Sequence, residues 1–309
     1  LELRLGLAPV MTRIVTLLAV ILIGLGLSRP ALAQDNCDEG PGFRGIALAN
    51  GYSVDWLIWQ PFDQTERGWL AYLPLMAREL DTPCAPDTPG FARALARFQK
   101  EYGLTANGLF NRATFQVFKG VWQERRPFVM QRVADICPDP PAQSELGYLD
   151  PSEEHADRMV RLLRYDVLNA YRLMVRAARA EVPEIADNPE LLQIFSSYRD
   201  PDADAARCAA ERNCDGLRRA VCSPHRTGTA IDIYVGHLAG HGVDSTRWAN
   251  RRHQTRGPAY RWLVENAHRF GFVPYVYEPW HWEWTGPTTE VLNSERLAPM
   301  PHIPPLMLK

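Results

Sequence analysis

The segment from Ser223 to Asp232, S-P-H-R-T-G-T-A-I-D, constrains the fold of this chain more than any other stretch. It offers an imidazole at His225 and a carboxylate at Asp232, and both groups are common metal ligands. Side chains seven positions apart on a straight strand point to opposite faces, so these two can reach one ion only if the backbone bends. Gly228 lies between them and permits that bend.

A third ligand is needed, and the best candidate is His281 in the downstream segment E-P-W-H-W-E-W. Two histidines and one carboxylate leave one position of a tetrahedral zinc ion open, which is typical of a catalytic site rather than a closed structural one. The sequence therefore predicts that His225, Asp232 and His281 converge on one metal ion.

The alternation in W-H-W-E-W predicts a strand with two different faces. Trp280, Trp282 and Trp284 should share the face that packs into the protein. His281 and Glu283 should then share the opposite face, which meets the metal.

Together the two segments resemble the zinc D,D-carboxypeptidases of the VanY-like group, which belong to the LAS-type metallopeptidases with lysostaphin-type enzymes and the hedgehog domain. The pattern S-x-H-x-x-G-x-A-x-D followed by E-x-W-H is present in full, and the resemblance extends from about Leu191 to Thr285. It implies that His225, Asp232 and His281 are the zinc ligands. It also implies that Glu278 is the catalytic base and that the fold is α+β, a small antiparallel sheet with flanking helices.

The role of Glu278 makes a structural demand. Glu278 has the wrong parity to join His281 on a regular strand, so Pro279 must mark an irregular turn that swings the carboxyl group toward the metal. Glu283 is expected to support a metal ligand rather than to act in catalysis.

Two further residues are candidates for substrate binding. A strand predicted over Leu191–Ser197 leads into S-S-Y-R-D, and in the resembled family the arginine of S-x-Y-R contacts substrate, which implies this role for Arg199. The alternative is a surface ion pair with Asp200 or Asp202. Ser223 either donates a hydrogen bond to the bound peptide or only stabilises the turn.

An earlier part of the chain has a resemblance of its own. Residues 91–118 show helical apolar spacing on two short helices joined by G-L-T-A-N-G-L-F, and a first helix is predicted over Leu73–Leu80. This region is similar to the three-helix peptidoglycan-binding domain, from whose repeat it departs at Asn107 and Asn111. The alternative is a domain that only packs against the enzyme. The tryptophans of this region are expected in its core: Trp56, Trp59, Trp69 and Trp122.

The N-terminal residues suggest export. Residues 11–33 combine a basic start, an apolar run and a small-residue A-L-A site, as a secretory signal does, and the apolar run is shorter than the roughly 20 residues of a membrane span. We therefore predict residues 1–33 as upstream residues and signal, 34–136 as the peptidoglycan-binding-like domain, 137–150 as a proline-rich linker and 151–309 as the catalytic domain. The mature protein should be periplasmic or secreted, with no stable membrane insertion.

Six cysteines fit an oxidising compartment and favour disulfides. Three fall in each half of the chain, so either one bridge joins the halves or two thiols stay free. Cys208, Cys214 and Cys222 could instead bind a metal, but their spacing is not C-x-x-C.

Two other segments carry expectations. The apolar steps from Pro151 to Val182 predict one long amphipathic helix. The segment Gly236–Pro258 is rich in Gly, His and Arg and is a candidate lid, and its His237 and His241 are expected to be solvated rather than bound to a second metal.

The resemblance implies Zn²⁺-dependent removal of the terminal D-Ala from a peptidoglycan stem peptide. Alternatives that keep the same site are an L,D-carboxypeptidase, a dipeptidase or a stem-peptide endopeptidase, and a zinc-stabilised cell-wall-binding protein without turnover is an alternative of another class. The net charge of -2 and the absence of a basic block argue against a nucleic-acid partner. No G-x-S-x-G or S-x-x-K motif supports a serine nucleophile.

Overall fold

Helices and short antiparallel strands together make up the computed structural model, which describes residues 36–62, 64–155, 161–212 and 222–288. The α+β class predicted from the sequence is confirmed. The predicted secretory signal, residues 11–33, lies outside the described residues. Among the described residues, no helix combines the length and the apolar character needed to cross a bilayer.

The part of the chain before residue 137, which we call the helical region, contains the elements Arg44–Trp56 (α1), Ile58–Trp59 (β1), Glu66–Arg67 (β2), Leu73–Glu79 (α2), Pro89–Glu101 (α3), Arg112–Glu124 (α4) and Pro127–Val133 (α5). The three helices expected from the sequence are present as α2, α3 and α4. Asn111 caps α4, because its side chain accepts a hydrogen bond from the backbone N–H of Thr114 at 2.9 Å. The departure from the usual repeat at this position therefore serves helix initiation.

Aromatic side chains fill the core of the helical region. Trp59, Trp69 and Trp122 are buried as predicted. The prediction for Trp56 is wrong, because 52% of this residue is exposed at the end of α1. The guanidinium of Arg67 covers one face of its ring at 3.8 Å, which gives the indole a cationic partner without burial.

The remaining described elements are Leu146–Tyr148 (β3), Leu162–Arg164 (β4), Tyr165–Glu181 (α6), Pro183–Ala186 (α7), Ile194–Ser196 (β5), Pro201–Glu211 (α8), Ala230–Ile233 (β6), Trp248–Gln254 (α9), Pro258–Asn266 (α10), Phe272–Pro274 (β7) and His281–Trp284 (β8). Four of the strands form one antiparallel sheet in the order β5-β6-β8-β7. Its central strands β6 and β8 are buried along their whole length.

The long helix predicted over Pro151–Val182 is wrong in its first half. Residues Leu162–Arg164 form β4, which pairs antiparallel with β3, and the helix begins only at Tyr165. Leu163 lies fully buried opposite Gly147 in this pairing. Its apolar side chain matched the helical spacing, but tertiary strand pairing decided the local structure.

Two disulfides tie the described chain together. Cys37 pairs with Cys84, and Cys137 pairs with Cys222, so one bridge joins the two halves of the chain. No described cysteine is free, and the bonding of Cys222 and Cys208 in disulfides excludes both from metal binding. The described residues belong to a single compact unit. The domain division at residues 137–150 stays a prediction.

Candidate metal centre

Two of the three predicted ligands face each other across the centre of the sheet. Strands β6 and β8 are antiparallel neighbours, and their register places Asp232 directly opposite His281. Directly opposed side chains on one face of such a pair lie close together, so the pairing itself delivers a carboxylate to an imidazole. His281 Nδ1 lies 2.8 Å from Asp232 Oδ1.

The third predicted ligand, His225, comes from the bend that the sequence predicted. Residues Pro224–Thr227 form one turn of 3₁₀ helix before β6, and Gly228 ends it with a φ of 69°, a left-handed conformation that favours glycine. His225 sits in this turn, and its Nδ1 lies 2.8 Å from the carbonyl oxygen of Ser197. That contact leaves His225 Nε2 facing Asp232, 3.3 Å from Oδ2.

The two ring nitrogens that face Asp232, together with its carboxylate, form a set of metal-binding atoms that fits a divalent cation. Asp232 presents one oxygen to each imidazole, and all three side chains are buried. One ligand atom from each of His225, Asp232 and His281 lies within 4.8 Å of the others. Two imidazoles and one carboxylate suit zinc, and an incomplete tetrahedron leaves room for a further ligand.

The charge states of Asp232 and His225 favour metal binding, whereas His281 must release a proton to bind a metal. Burial opposes the charge of Asp232, but His225 and His281 outweigh it and hold the pKa of Asp232 well below its usual range. Burial lowers the pKa of His225, which favours the neutral imidazole that binds metals. Burial also opposes a charge on His281, yet hydrogen bonds with Asp232 and Glu283 raise its pKa to about 9.

Glu283 supports His281 from behind. Both side chains lie on the same face of β8, as the alternation predicted, and His281 Nε2 is 3.1 Å from Glu283 Oε1. Burial raises the pKa of Glu283, but the hydrogen bond with His281 and the charge of Arg126 outweigh burial and lower it to about 2. Glu283 is therefore an ionised, buried acceptor for the imidazole.

Glu278 lies on an irregular turn, as its predicted role as base requires. Strand β7 ends at Pro274, and two turns follow before β8 begins. The N–H of Glu278 donates to the carbonyl of Tyr275 at 3.2 Å, and the N–H of His281 donates to the carbonyl of Glu278 at 2.9 Å. Burial raises the pKa of the Glu278 carboxyl group, although the nearby His281 opposes the shift.

Comparison with known proteins decides the family. Residues 161–287, which contain all three candidate ligands and Glu278, match the family model described as VanY, D-alanyl-D-alanine carboxypeptidase. This part of the chain is a VanY domain. The protein is thus a metallopeptidase of the peptidoglycan carboxypeptidase class, as predicted. Zinc is confirmed as its cofactor by the family match together with the His–Asp–His group.

Solved structures similar to this chain include the LdcB LD-carboxypeptidase, reported for its recognition of peptidoglycan, at 21% identity over 52% of this chain and 76% of that chain, with a TM-score of 0.36. The VanY D,D-pentapeptidase of a VanB-type resistance cassette, in complex with Zn(II), is 21% identical over 48% of this chain and 83% of that chain, with a TM-score of 0.29. VanYB in complex with D-alanine-D-alanine is 20% identical over 51% of this chain and 84% of that chain, also with a TM-score of 0.29. No curated protein matches the chain.

The two predicted substrate residues lie together at the edge of the VanY domain's metal group. Arg199 Nη2 donates to Ser223 Oγ at 2.9 Å, and its backbone N–H donates to the carbonyl of His225 at 3.2 Å. The nearest acid to its guanidinium is Asp204, at 3.5 Å from Nε, rather than either aspartate considered from the sequence. Ser223 also accepts from the N–H of His225 at 3.3 Å, so its hydroxyl supports the turn.

Two buried side chains of α9 hold the segment Gly236–Pro258 together from within. Asn250 Oδ1 accepts from the N–H of Leu238 at 2.8 Å, and Gln254 Nε2 donates to the carbonyl oxygens of Gly236 and Val243. Within the described residues, the histidines of this segment join no group able to hold a metal.

Sequence reasoning missed the residues of the helical region that reach the VanY domain. Arg126 contacts Glu283, and Glu66 and Tyr72 contact Arg251 of α9. A buried carboxylate in W-H-W-E-W requires a partner, which is a usable signal. It does not say which of the chain's many arginines provides the charge.

Proposed function

We propose that this protein is a zinc-dependent D,D-carboxypeptidase that removes the terminal D-Ala from peptidoglycan stem peptides outside the cytoplasm. The observation that carries the proposal is the convergence of His225, Asp232 and His281 within 4.8 Å, inside the segment that matches the VanY family. The predicted export signal and the disulfides agree with an extracytoplasmic site of action.

The proposed zinc ligands are His225 Nε2, His281 Nδ1 and a carboxylate oxygen of Asp232. The other ring nitrogens are engaged with Ser197 and Glu283, so each histidine has one nitrogen left for the metal. When bound, zinc acts as a Lewis acid toward the scissile carbonyl and lowers the pKa of water to about 7.

Glu278 is the proposed general base. Its carboxyl group takes the proton of the attacking water and then delivers it to the amine of the departing D-Ala. The raised pKa of Glu278 suits its role, because a more basic carboxylate accepts the water proton more readily, and a group that titrates nearer the working pH can also return that proton to the amine.

Arg199 and Ser223 are proposed to bind the substrate. A planar guanidinium can hold the terminal carboxylate of the stem peptide through two hydrogen bonds. The hydroxyl of Ser223 fixes the direction of the Arg199 side chain at 2.9 Å and remains close to the same end of the substrate. In this arrangement Arg199 and Ser223 bind the same end of the substrate together.

The test is incubation of the full protein with muropeptides that carry tetrapeptide or pentapeptide stems, with and without a chelator, followed by mass analysis. Loss of one D-Ala from pentapeptides alone is expected, and the chelator should abolish it. Trimming of tetrapeptides would instead indicate an L,D-carboxypeptidase, and a longer released fragment an endopeptidase. No chelator-sensitive product would favour a zinc-stabilised binding protein and overturn the proposal.

The base assignment has its own test in Glu278→Gln. We expect turnover to fall by about 10²- to 10⁴-fold, because the variant cannot accept the water proton, while zinc still binds. Glu265→Gln on the exposed face of α10 is the matched control and should keep full activity. Persistent turnover in Glu278→Gln would remove Glu278 from the mechanism.

The domain division and glycan binding by residues 34–136 are also proposals. The α2, α3 and α4 helices support the resemblance to a peptidoglycan-binding domain. Sedimentation of the protein with purified peptidoglycan, at zinc-free conditions that prevent cleavage, measures this binding directly.

A further inference from the structure

Arg126 belongs to the helical region and lies next to the metal centre. It lies between α4 and α5, outside the segment that matches the VanY family, and only 5% of the residue is exposed. A buried guanidinium needs partners for its charge and for its N–H groups. The contacts of Arg126 therefore show what the protein uses it for.

Those contacts converge on one side of the centre. Arg126 Nε and Nη2 donate to Glu283 Oε1 at 3.1 and 2.5 Å, and Nη1 donates to Gln123 at 2.5 Å. The guanidinium also lies 4.2 Å from the centre of the Tyr275 ring, whose edge-on neighbour at 5.9 Å is His281. Arg126 thus contacts two of the side chains that flank the His281 imidazole, Glu283 and Tyr275.

Glu283 transmits this contact to the ligand. It accepts from Arg126 and lies 3.1 Å from His281 Nε2 with the same oxygen, so the three side chains form a continuous chain of hydrogen bonds. A carboxylate on Nε2 fixes the ring orientation of the imidazole and directs its Nδ1 lone pair outward, here toward Asp232. When His281 is neutral, as a metal ligand must be, Glu283 depends on Arg126 for its counter-ion.

We propose that Arg126 is a positioning residue of the metal centre: through Glu283 it fixes the orientation of His281 that binds zinc, so the helical region contributes to metal affinity. The inference rests on the metal site proposed above. A purely structural ion pair would affect only stability, whereas a positioning role for Arg126 also predicts a change in metal affinity.

The experiment uses the full chain and two measurements, zinc affinity by competition with a chromophoric chelator and the visible spectrum of the Co²⁺-loaded protein. Arg126→Met should weaken zinc binding by about 10- to 100-fold and change the Co²⁺ spectrum, because His281 loses its fixed orientation. Arg126→Lys keeps the charge but not the planar fork, and should restore part of the affinity.

The neighbouring residue provides the matched control. Arg125 also makes a two-point ion pair, with Glu79 at 2.7 Å, but its side chain is 51% exposed and contacts no proposed ligand. Arg125→Met should therefore leave zinc affinity and the Co²⁺ spectrum as in the wild type.

A third variant covers the case in which Arg126→Met does not fold. Arg126→Met combined with Glu283→Gln leaves no unpaired buried charge, and it should weaken zinc binding by the same factor as Glu283→Gln alone, since Arg126 acts through Glu283. Wild-type affinity and spectrum in folded Arg126→Met, or a lower melting temperature with unchanged zinc affinity, would overturn the inference while the metal site stands. A wild-type protein that binds no zinc would overturn both.

Discussion

Two buried arginines join the helical region to the VanY domain, and one comes from each side of this contact. In the Arg126 cluster the arginine comes from the helical region and the carboxylate, Glu283, from β8. In the Arg251 cluster the arginine comes from α9, and its partners Glu66 and Tyr72 come from the helical region at 2.5 and 2.9 Å. Only the first cluster contains a residue that touches a proposed metal ligand.

The Arg251 cluster contacts the turn before β8 rather than a proposed metal ligand. The Arg251 guanidinium lies 4.3 Å from the centre of the Tyr277 ring, and Phe62 packs on the same ring at 4.5 Å. Tyr72 donates its hydroxyl proton to Glu66 at 2.7 Å, so the carboxylate has two donors. Similar buried ion pairs can therefore serve different purposes, one orienting a ligand and the other closing the interface.

The largest expected effect is on stability, from Arg251→Met. The variant leaves Glu66 buried without its cation, and breaking a buried pair in this way destabilises a protein by about 3–5 kcal/mol. Urea unfolding of the metal-free protein measures the loss. The zinc dissociation constant of the folded variant should stay at the wild-type value, since no metal ligand touches the cluster.

Arg252→Met is the control for that experiment. Arg252 is the next residue on α9 and pairs with Asp55, but both side chains are partly exposed, and such a pair contributes about 1 kcal/mol or less. Equal losses in the two variants would contradict the assignment of the interface to Arg251. A weakened zinc affinity in Arg251→Met would remove the contrast between the clusters.

A smaller change in stability is expected from zinc binding. A ligand that binds only the folded state at 100 times its dissociation constant stabilises it by about 2.7 kcal/mol, and a chelator should reverse this. His225→Ala should abolish the increment, Arg251→Met should retain it in full, and Arg126→Met should lose about half of it or more at the same zinc concentration. Thermal unfolding of the wild type and the three variants, each with and without zinc, gives the four increments. An equal increment in both arginine variants would contradict separate roles for the two arginines.

The sequence predicted the grouping of His225, Asp232 and His281 better than it predicted the contacts around them. His225, Asp232 and His281 are defined by a short motif, by the bend at Gly228 and by alternation on one strand, which are all local features. Arg126 and Glu283 lie 157 positions apart, and no local pattern links them. Their pairing depends on how the helical region packs against the sheet.

The same distinction explains the errors in the fold. The helices α3 and α4 were predictable, because their caps and apolar spacing lie within each segment. Strand β4 was not, because Leu162–Arg164 has helical spacing and becomes a strand through pairing with β3. Trp56 has the composition of a core residue, but its exposure depends on which face of α1 the fold covers.

The smallest expected effect is on the stability of the metal-free protein, and it distinguishes the two carboxyl groups near His281, those of Glu278 and Glu283. Glu278 has no arginine hydrogen bond among the described contacts, and burial raises its pKa, with His281 opposing. Glu283 accepts two from Arg126, and its pKa is lowered to about 2, because hydrogen bonding to His281 and the charge of Arg126 outweigh burial. The two groups should therefore affect the stability of the metal-free protein with opposite signs.

The sign follows from proton binding. A carboxyl group whose pKa is raised on folding stabilises the protein below its unfolded pKa, and this contribution is lost as the pH rises through the folded pKa. Ionised Glu278 is thus destabilising at neutral pH, and Glu278→Gln should be more stable there, with a gain that shrinks toward the ordinary carboxyl pKa of 4.5. Glu283→Gln should be less stable at neutral pH, because the contribution of Glu283 is lost only as the pH falls toward about 2. Urea unfolding at a series of pH values in chelator tests both, and equal signs at neutral pH would show that Arg126 does not distinguish the two carboxyl groups.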